Sequence, residues 1–272
     1  MSANLQKNKD KSSSKQMKII TIENYLLNFY FSIEKRNPIK IKIIILRHKI
    51  IKLMSKIHVY FVPGLAASIE IFENIKLPKE QFEMHYLEWI LPIYNETIQS
   101  YAKRMCEKVT HENCVLIGVS FGGIMVQEMS EIIKTKKVII ISSVKSNQEL
   151  PIHMKLAKAT KLYKALPTSL LGQVNYLSRY IKGRGLLAKR VKLYNRYLFM
   201  KQTKYLDWAI ENVLLWQRSI PDEKVIHIHG DEDMVFPISN IKNCIVVKGG
   251  THIMIVNKYK WLNENLPKLI LK

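Results

Sequence analysis

The chain reads as an α/β protein: a mostly parallel sheet flanked by helices, with a helical piece inserted late. Three observations predict this. From Ile57 onward, short apolar runs alternate with stretches of helical period. Apart from residues 81–89, where Phe82, Met84 and Tyr86 alternate with Glu83, His85 and Leu87, the apolar runs are continuous, which marks strands covered on both faces. Seven of the ten glycines (Gly64, Gly118, Gly122, Gly123, Gly230, Gly249, Gly250) fall just after or at the ends of those runs. Sharp backbone turns are needed there if each strand leads into a loop and then a helix.

The elements follow in order. Residues 57–62, IHVYFV, form a first buried strand, and 69–76 a short helix. Residues 81–89 form a second strand. Over 96–109 the apolar residues Ile98, Tyr101, Ala102, Met105 and Val109 keep a helical period. Residues 113–119 make the third strand, 122–134 a helix, 137–142 the fourth strand. Strands at 225–229 and 244–248 and a closing helix at 257–271 complete the pattern. Between the fourth and fifth strands, residues 147–220 carry no strand pattern. Their helical stretches are broken by Pro167, Gly172, Gly183 and Gly185, and they read as a helical cap over the strand ends. The division is therefore a core of residues 54–146 and 221–272, with the cap at 147–220.

Residues 1–53 look foreign to this pattern. The first 18 are rich in Lys, Ser and Asn with little to bury, which predicts disorder. Lys40, Lys42, Arg47, Lys49 and Lys52 interrupt the isoleucine-rich run that follows and forbid a membrane span there. The run is equally poor as a signal peptide. Residues 1–53 are thus expected to be a basic, partly disordered extension or a stretch upstream of a true start at Met54. Charge follows the same division. Of the net +21, residues 1–53 carry +9, residues 151–218 carry +12, and the remainder is neutral. The three cysteines, Cys106, Cys114 and Cys244, suggest neither a metal site nor a disulfide framework, so a reducing, cytoplasmic location is expected.

Four loops carry the chemistry. Gly118-Val119-Ser120-Phe121-Gly122 joins a strand to a helix, the context of a nucleophile elbow. His229-Gly230-Asp231-Glu232-Asp233 with Pro237, Gly250-Thr251-His252, and Val62-Pro63-Gly64-Leu65 each follow a strand. In an open α/β sheet such loops converge on the ligand crevice. A serine hydroxyl is a poor nucleophile at its ordinary pKa and needs a base. An imidazole supplies one near neutral pH, and a carboxylate fixes its tautomer. Ser120, His252 and Asp233 are the candidates for those roles. Backbone N–H groups of Phe121 and Leu65 are the candidates to hold an oxyanion.

Over about residues 57–271 these motifs resemble the α/β-hydrolase superfamily, in which the residues occur in the order serine, acid, histidine. The resemblance implies the spacing Gly-x-x-Asp-x-x-x-Pro in the acid loop. That selects Asp233 over Asp231, whose expected role is to brace the turn. It departs from the family in having Val-Pro-Gly rather than His-Gly in the oxyanion loop, and in showing no clear opening hairpin before Ile57 unless residues 39–53 supply one. The expected activity is that of a serine esterase or thioesterase working through an acyl-enzyme on Ser120, on a small-molecule carboxylic ester or acyl thioester. No metal or organic cofactor is expected. Two alternatives stand beside it: a lyase like that of the menaquinone pathway, using the same triad, and a non-catalytic binding protein on a hydrolase scaffold.

The basic cap reads either as a solvated face of amphipathic helices or as a dock for an acidic partner, an acyl carrier protein or an anionic membrane surface; nucleic acid is not expected, since no module for it is present. Among the other histidines, His58, His85, His111 and His153 read as structural. His227 and His229 alternate on one strand, but no third metal ligand stands at a suitable spacing. Glu70 and Glu73 read as solvated helix charges.

Overall fold

The structure, a computed structural model, describes residues 56–165 and 196–272. Six strands form one sheet: β1 (Ile57–Val62), β2 (Phe82–Tyr86), β3 (Cys114–Val119), β4 (Thr135–Ile141), β5 (Ile226–Gly230) and β6 (Ile245–Val247). Their order across the sheet is β2-β1-β3-β4-β5-β6, and every neighbouring pair is parallel. Among the described residues the helices are α1 (Ile98–Cys106), α2 (Phe121–Ser130), α3 (Ile152–Thr160), α4 (Thr203–Leu215), α5 (Met254–Asn257) and α6 (Tyr259–Leu271). Six parallel strands with flanking helices are the architecture that the continuous apolar runs imply.

Alternate residues of the strands build two cores. Tyr60, Val62, Leu116 and Ile140 pack with Tyr101 and Met105 of α1, Ile124 and Met125 of α2, and Tyr205 and Leu206 of α4. Val59, Phe61, Val115, Ile117, Ile139 and Ile228 pack on the other face with Leu262, Leu266 and Ile270 of α6. Burial on both faces explains why β3 has no polar residue.

Some element boundaries differ from expectation. The helix expected at 69–76 is a single 3-10 turn, Ile69–Phe72, capped by Ser68. Beyond it Ile75 and Leu77 are buried while Lys76 is exposed, a period of two that belongs to extended chain. The closing helix is two pieces, α5 and α6, which meet at Lys258. Glu73, exposed at the end of the 3-10 turn, also accepts hydrogen bonds from Arg196 at 2.6 Å and from the Tyr197 hydroxyl at 2.8 Å.

The chain passes from β1 outward to β2, then back across β1 to β3. The loops after β1 and β3 therefore leave neighbouring strand ends on either side of a switch in winding direction, where α/β sheets form their crevice. Of residues 147–220, the described parts include α3 and α4. A segment at 197–200 runs along the loop after β1, with Ala67 and Leu198 forming a β-bridge and Tyr197 O accepting from Ser68 N at 2.7 Å. Residues 1–55 and 166–195, and with them the expected N-terminal extension and the middle of the expected cap, lie outside the described residues. Among the described residues, no helix is long and apolar enough to cross a membrane.

Candidate active site

Ser120 sits between β3 and α2 with φ 53° and ψ −119°. An L residue adopts these angles only at a cost of about 1–3 kcal/mol. The turn is held on both sides. Ser120 N donates to Ile141 O at 2.9 Å, and Ser120 O accepts from Gly123 N at 2.8 Å and from Ser143 Oγ at 2.7 Å. The flanking glycines are dictated by contact. A Cβ on Gly118 would lie 2.1 Å from Gly122 O, and one on Gly122 would lie 2.3 Å from both Val62 O and Pro63 O. Gly118 thus lets the strand fold tightly against the first turn of α2, and Gly122 lets that turn approach the end of β1.

His252, in the loop after β6, reaches back to this turn. Its Nε2 stands 3.0 Å from Ser120 Oγ, and its Nδ1 stands 2.9 Å from Asp233 Oδ2 and 3.2 Å from Oδ1. A carboxylate only accepts, so Nδ1 carries the hydrogen and the Nε2 lone pair faces the serine hydroxyl. Asp233 Oδ1 also accepts from Val235 N at 2.8 Å and Phe236 N at 2.9 Å. Burial of the Asp233 carboxyl raises its pKa, but the hydrogen bond and charge interaction with His252 and the two N–H donors outweigh it and hold the group below its ordinary value. Asp231 takes no part in this line. Its Oδ1 accepts from Gly249 N at 2.6 Å and ties the loop after β5 to the loop after β6. Gly230 and Gly250 bring the same two loops together, since a Cβ on Gly230 would lie 2.1 Å from Gly250 O.

The loop after β1 lies against the serine, with an added Gly64 Cβ 3.6 Å from Ser120 Cβ. Gly64 O accepts from the Trp89 indole N–H at 2.8 Å and from Ala67 N at 3.0 Å. In a trans peptide C=O and N–H point in opposite directions, so anchoring that carbonyl also fixes the direction of the Leu65 N–H. Phe121 is the first residue of α2, where backbone N–H groups lie beyond intrahelical pairing. Its buried ring stacks on Trp89 at 5.2 Å between centroids.

Three supporting residues complete the site; Ser143 and Trp89 carried no signal in the sequence, and His229 stood in the acid-loop motif without an assigned role. Ser143 holds the elbow carbonyl, and Trp89 holds the loop after β1. His229 holds the acid loop: its Nε2–H donates to Phe236 O at 2.8 Å, which makes its Nδ1 the acceptor for His227 Nε2–H at 3.1 Å. Burial pushes the His227 pKa down to about 3, and His229 and Lys145 nearby add to the shift. The pair is therefore a neutral brace behind Asp233. A separate cavity of about 660 Å³ lies between the 92–99 segment and α4, lined by residues that include Tyr94, Trp208 and Trp216 but none of Ser120, Asp233 and His252.

No family model matches the sequence, and no curated protein matches it. Solved structures do match its fold. A carboxylesterase of the thaumarchaeon Nitrososphaera gargenis is 18% identical, with a TM-score of 0.56, over 80% of this chain and 91% of that one. A bromoperoxidase from Bacillus anthracis is 16% identical, with a TM-score of 0.55, over 80% and 92%. A hydrolase from Pseudomonas aeruginosa is 12% identical, with a TM-score of 0.57, over 79% and 90%. With its parallel sheet, its strand order and these likenesses, the chain has the α/β-hydrolase fold.

Proposed function

We propose that the chain is a serine hydrolase that cleaves a carboxylic ester or acyl thioester through an acyl-enzyme on Ser120. The observation that carries this reading is the unbroken line from Ser120 Oγ to His252 to Asp233, with contacts of 3.0 and 2.9 Å. Ser120 Oγ attacks the acyl carbon as His252 Nε2 takes its proton. The imidazolium so formed is stabilised by Asp233, then protonates the departing alkoxide or thiolate. Water repeats the sequence on the acyl-enzyme, releasing the acid and restoring Ser120. The N–H groups of Phe121 and Leu65 hold the oxygen that becomes negative at each tetrahedral stage, and one such donor contributes about 3–4 kcal/mol. The esterase among the structural neighbours supports the same reaction class.

Residues 147–220 form the substrate-selecting cover in this proposal, and their positive charge favours an anionic acyl carrier or membrane surface as the source of substrate. Hydrolysis of p-nitrophenyl acetate and butyrate tests the mechanism. The wild-type protein releases nitrophenolate, Ser120→Ala does not, and a fluorophosphonate probe labels Ser120. Unchanged turnover in Ser120→Ala would remove the assigned nucleophile.

A further inference from the structure

A second constellation lies on the neighbouring strands β1 and β2, away from Ser120, with His58 near the start of β1 and His85 near the end of β2. His58 of β1 stands beside Glu83 of β2 in the sheet register, and Tyr60 stands beside His85. Because side chains alternate along a strand, His58, Tyr60, Glu83 and His85 share one face. The loop between α1 and β3 then brings His111 over that face. Three histidines separated by 27 and 26 positions in the chain thus meet, with one ring nitrogen from each lying within 4.8 Å of the others.

We propose that His58, His85 and His111 form a binding site for a divalent transition-metal ion of the zinc type. His58 Nδ1 and His85 Nε2 face each other at 3.0 Å. Ligands about 2.0–2.1 Å from a tetrahedral ion sit roughly 3.4 Å apart, close to this spacing. The proton now shared between the two rings leaves, or moves to another ring nitrogen, when the ion enters. His111 Nδ1 is engaged by the Tyr60 hydroxyl at 2.7 Å and Thr110 Oγ1 at 3.2 Å. That arrangement leaves Nε2 as the donor and supplies the outer hydrogen bond that orients a metal-bound imidazole. Glu83 places one carboxylate oxygen 3.8 Å from His58 Nδ1 and the other 3.9 Å from His85 Nε2, adding negative charge beside the ion. His58 and His85 side chains are about a quarter exposed, so an ion enters from solvent. In the structure His111 stacks on His58 with centroids 3.5 Å apart, so binding turns its ring partly off that face. The nitrogen-rich donor set favours zinc, cobalt, nickel or copper over magnesium or calcium.

The ion would not touch the chemistry at Ser120. His58 pairs with the chain just before Val115, about six residues short of Ser120, or roughly 20 Å along the strand. Its effect is mechanical: it fastens edge strand β2 to β1 and to the loop before β3.

The test uses full-length, tag-free protein freed of metal by chelation, titrated with Zn²⁺ in a calorimeter and with Co²⁺ in a spectrophotometer. One ion binds with a dissociation constant below about 1 µM, and Co²⁺ develops the visible bands of a tetrahedral nitrogen site. At zinc a hundredfold above that constant, the melting temperature rises about 5–10 °C. His58→Ala, His85→Ala and His111→Ala each weaken binding at least ~100-fold, whereas His153→Ala, at an exposed histidine of α3, leaves it intact. Where an alanine variant fails to fold, His85→Gln retains a polar side chain of similar length without an imidazole nitrogen and gives the same loss. Binding that is weaker than about 100 µM, or that is equal in all four alanine variants, would leave only a stacked trio of imidazoles and overturn the proposal.

Discussion

Replacing Ser120 by glycine and, separately, by alanine isolates the strain stored at the elbow. Both variants lose the hydroxyl and its 3.0 Å contact with His252, so that loss cancels in the comparison. What remains is the backbone. At φ 53° and ψ −119° an L residue is strained by about 2 kcal/mol, which alanine keeps and glycine sheds. Against this, glycine loses about 0.7 kcal/mol more backbone entropy on folding, and forgoes about 0.4 kcal/mol from a half-buried methyl. The balance favours Ser120→Gly by about 1 kcal/mol, or roughly 3 °C in melting temperature. Urea unfolding with matched m-values, supported by calorimetry, measures it. An alanine variant as stable as the glycine variant, or more so, would show that the serine is not held in a strained turn and would remove the physical basis of the elbow.

Other outcomes follow from the same geometry. Asp233→Asn reduces ester turnover by orders of magnitude, because an amide cannot hold the His252 tautomer, whereas Asp231→Asn acts only through the loop it braces; steady-state kinetics of the two decide between them. Gly118→Ala places a Cβ 2.1 Å from a backbone oxygen and costs more than about 3 kcal/mol, while Gly64→Ala makes an ordinary 3.6 Å contact and costs under about 1 kcal/mol. Denaturant titration of the pair separates a contact requirement from a general preference for glycine. His227, with a pKa of about 3 in the fold and near 6.5 when unfolded, binds its proton preferentially in the unfolded chain. Its contribution therefore lowers stability as pH falls from about 6.5 toward 3, by roughly 1.4 kcal/mol per unit. The stability of His227→Phe relative to wild type should accordingly rise across that window; a constant difference would refute the assignment. Asp233, also held below its ordinary pKa by the fold, depends on pH in the same direction but in a more acidic window: its stabilisation is present above the unfolded carboxyl pKa and disappears as pH falls through the folded one.

The layered architecture is legible in the order of residues alone. Continuous apolar runs such as Cys114–Val119 admit a strand buried on both faces and little else. The glycines at 118 and 122 announced a turn too tight for side chains, and the order of Ser120, Asp233 and His252 pointed to one end of the sheet. The strand and glycine signals are local, written within one or two turns of chain, whereas the order of the three residues has meaning only through the resemblance to the superfamily. The pairing of distant residues came from the packing of whole elements. Arg196 reaches Glu73, and Ser143 reaches the carbonyl of Ser120. His58, His85 and His111 meet only because β1 and β2 pair in the register His58 to Glu83 and a loop folds back over them. Periodicity tells a residue which face it occupies. It says nothing of the crossover that sets two such faces side by side, because that choice is made by the packing of whole elements.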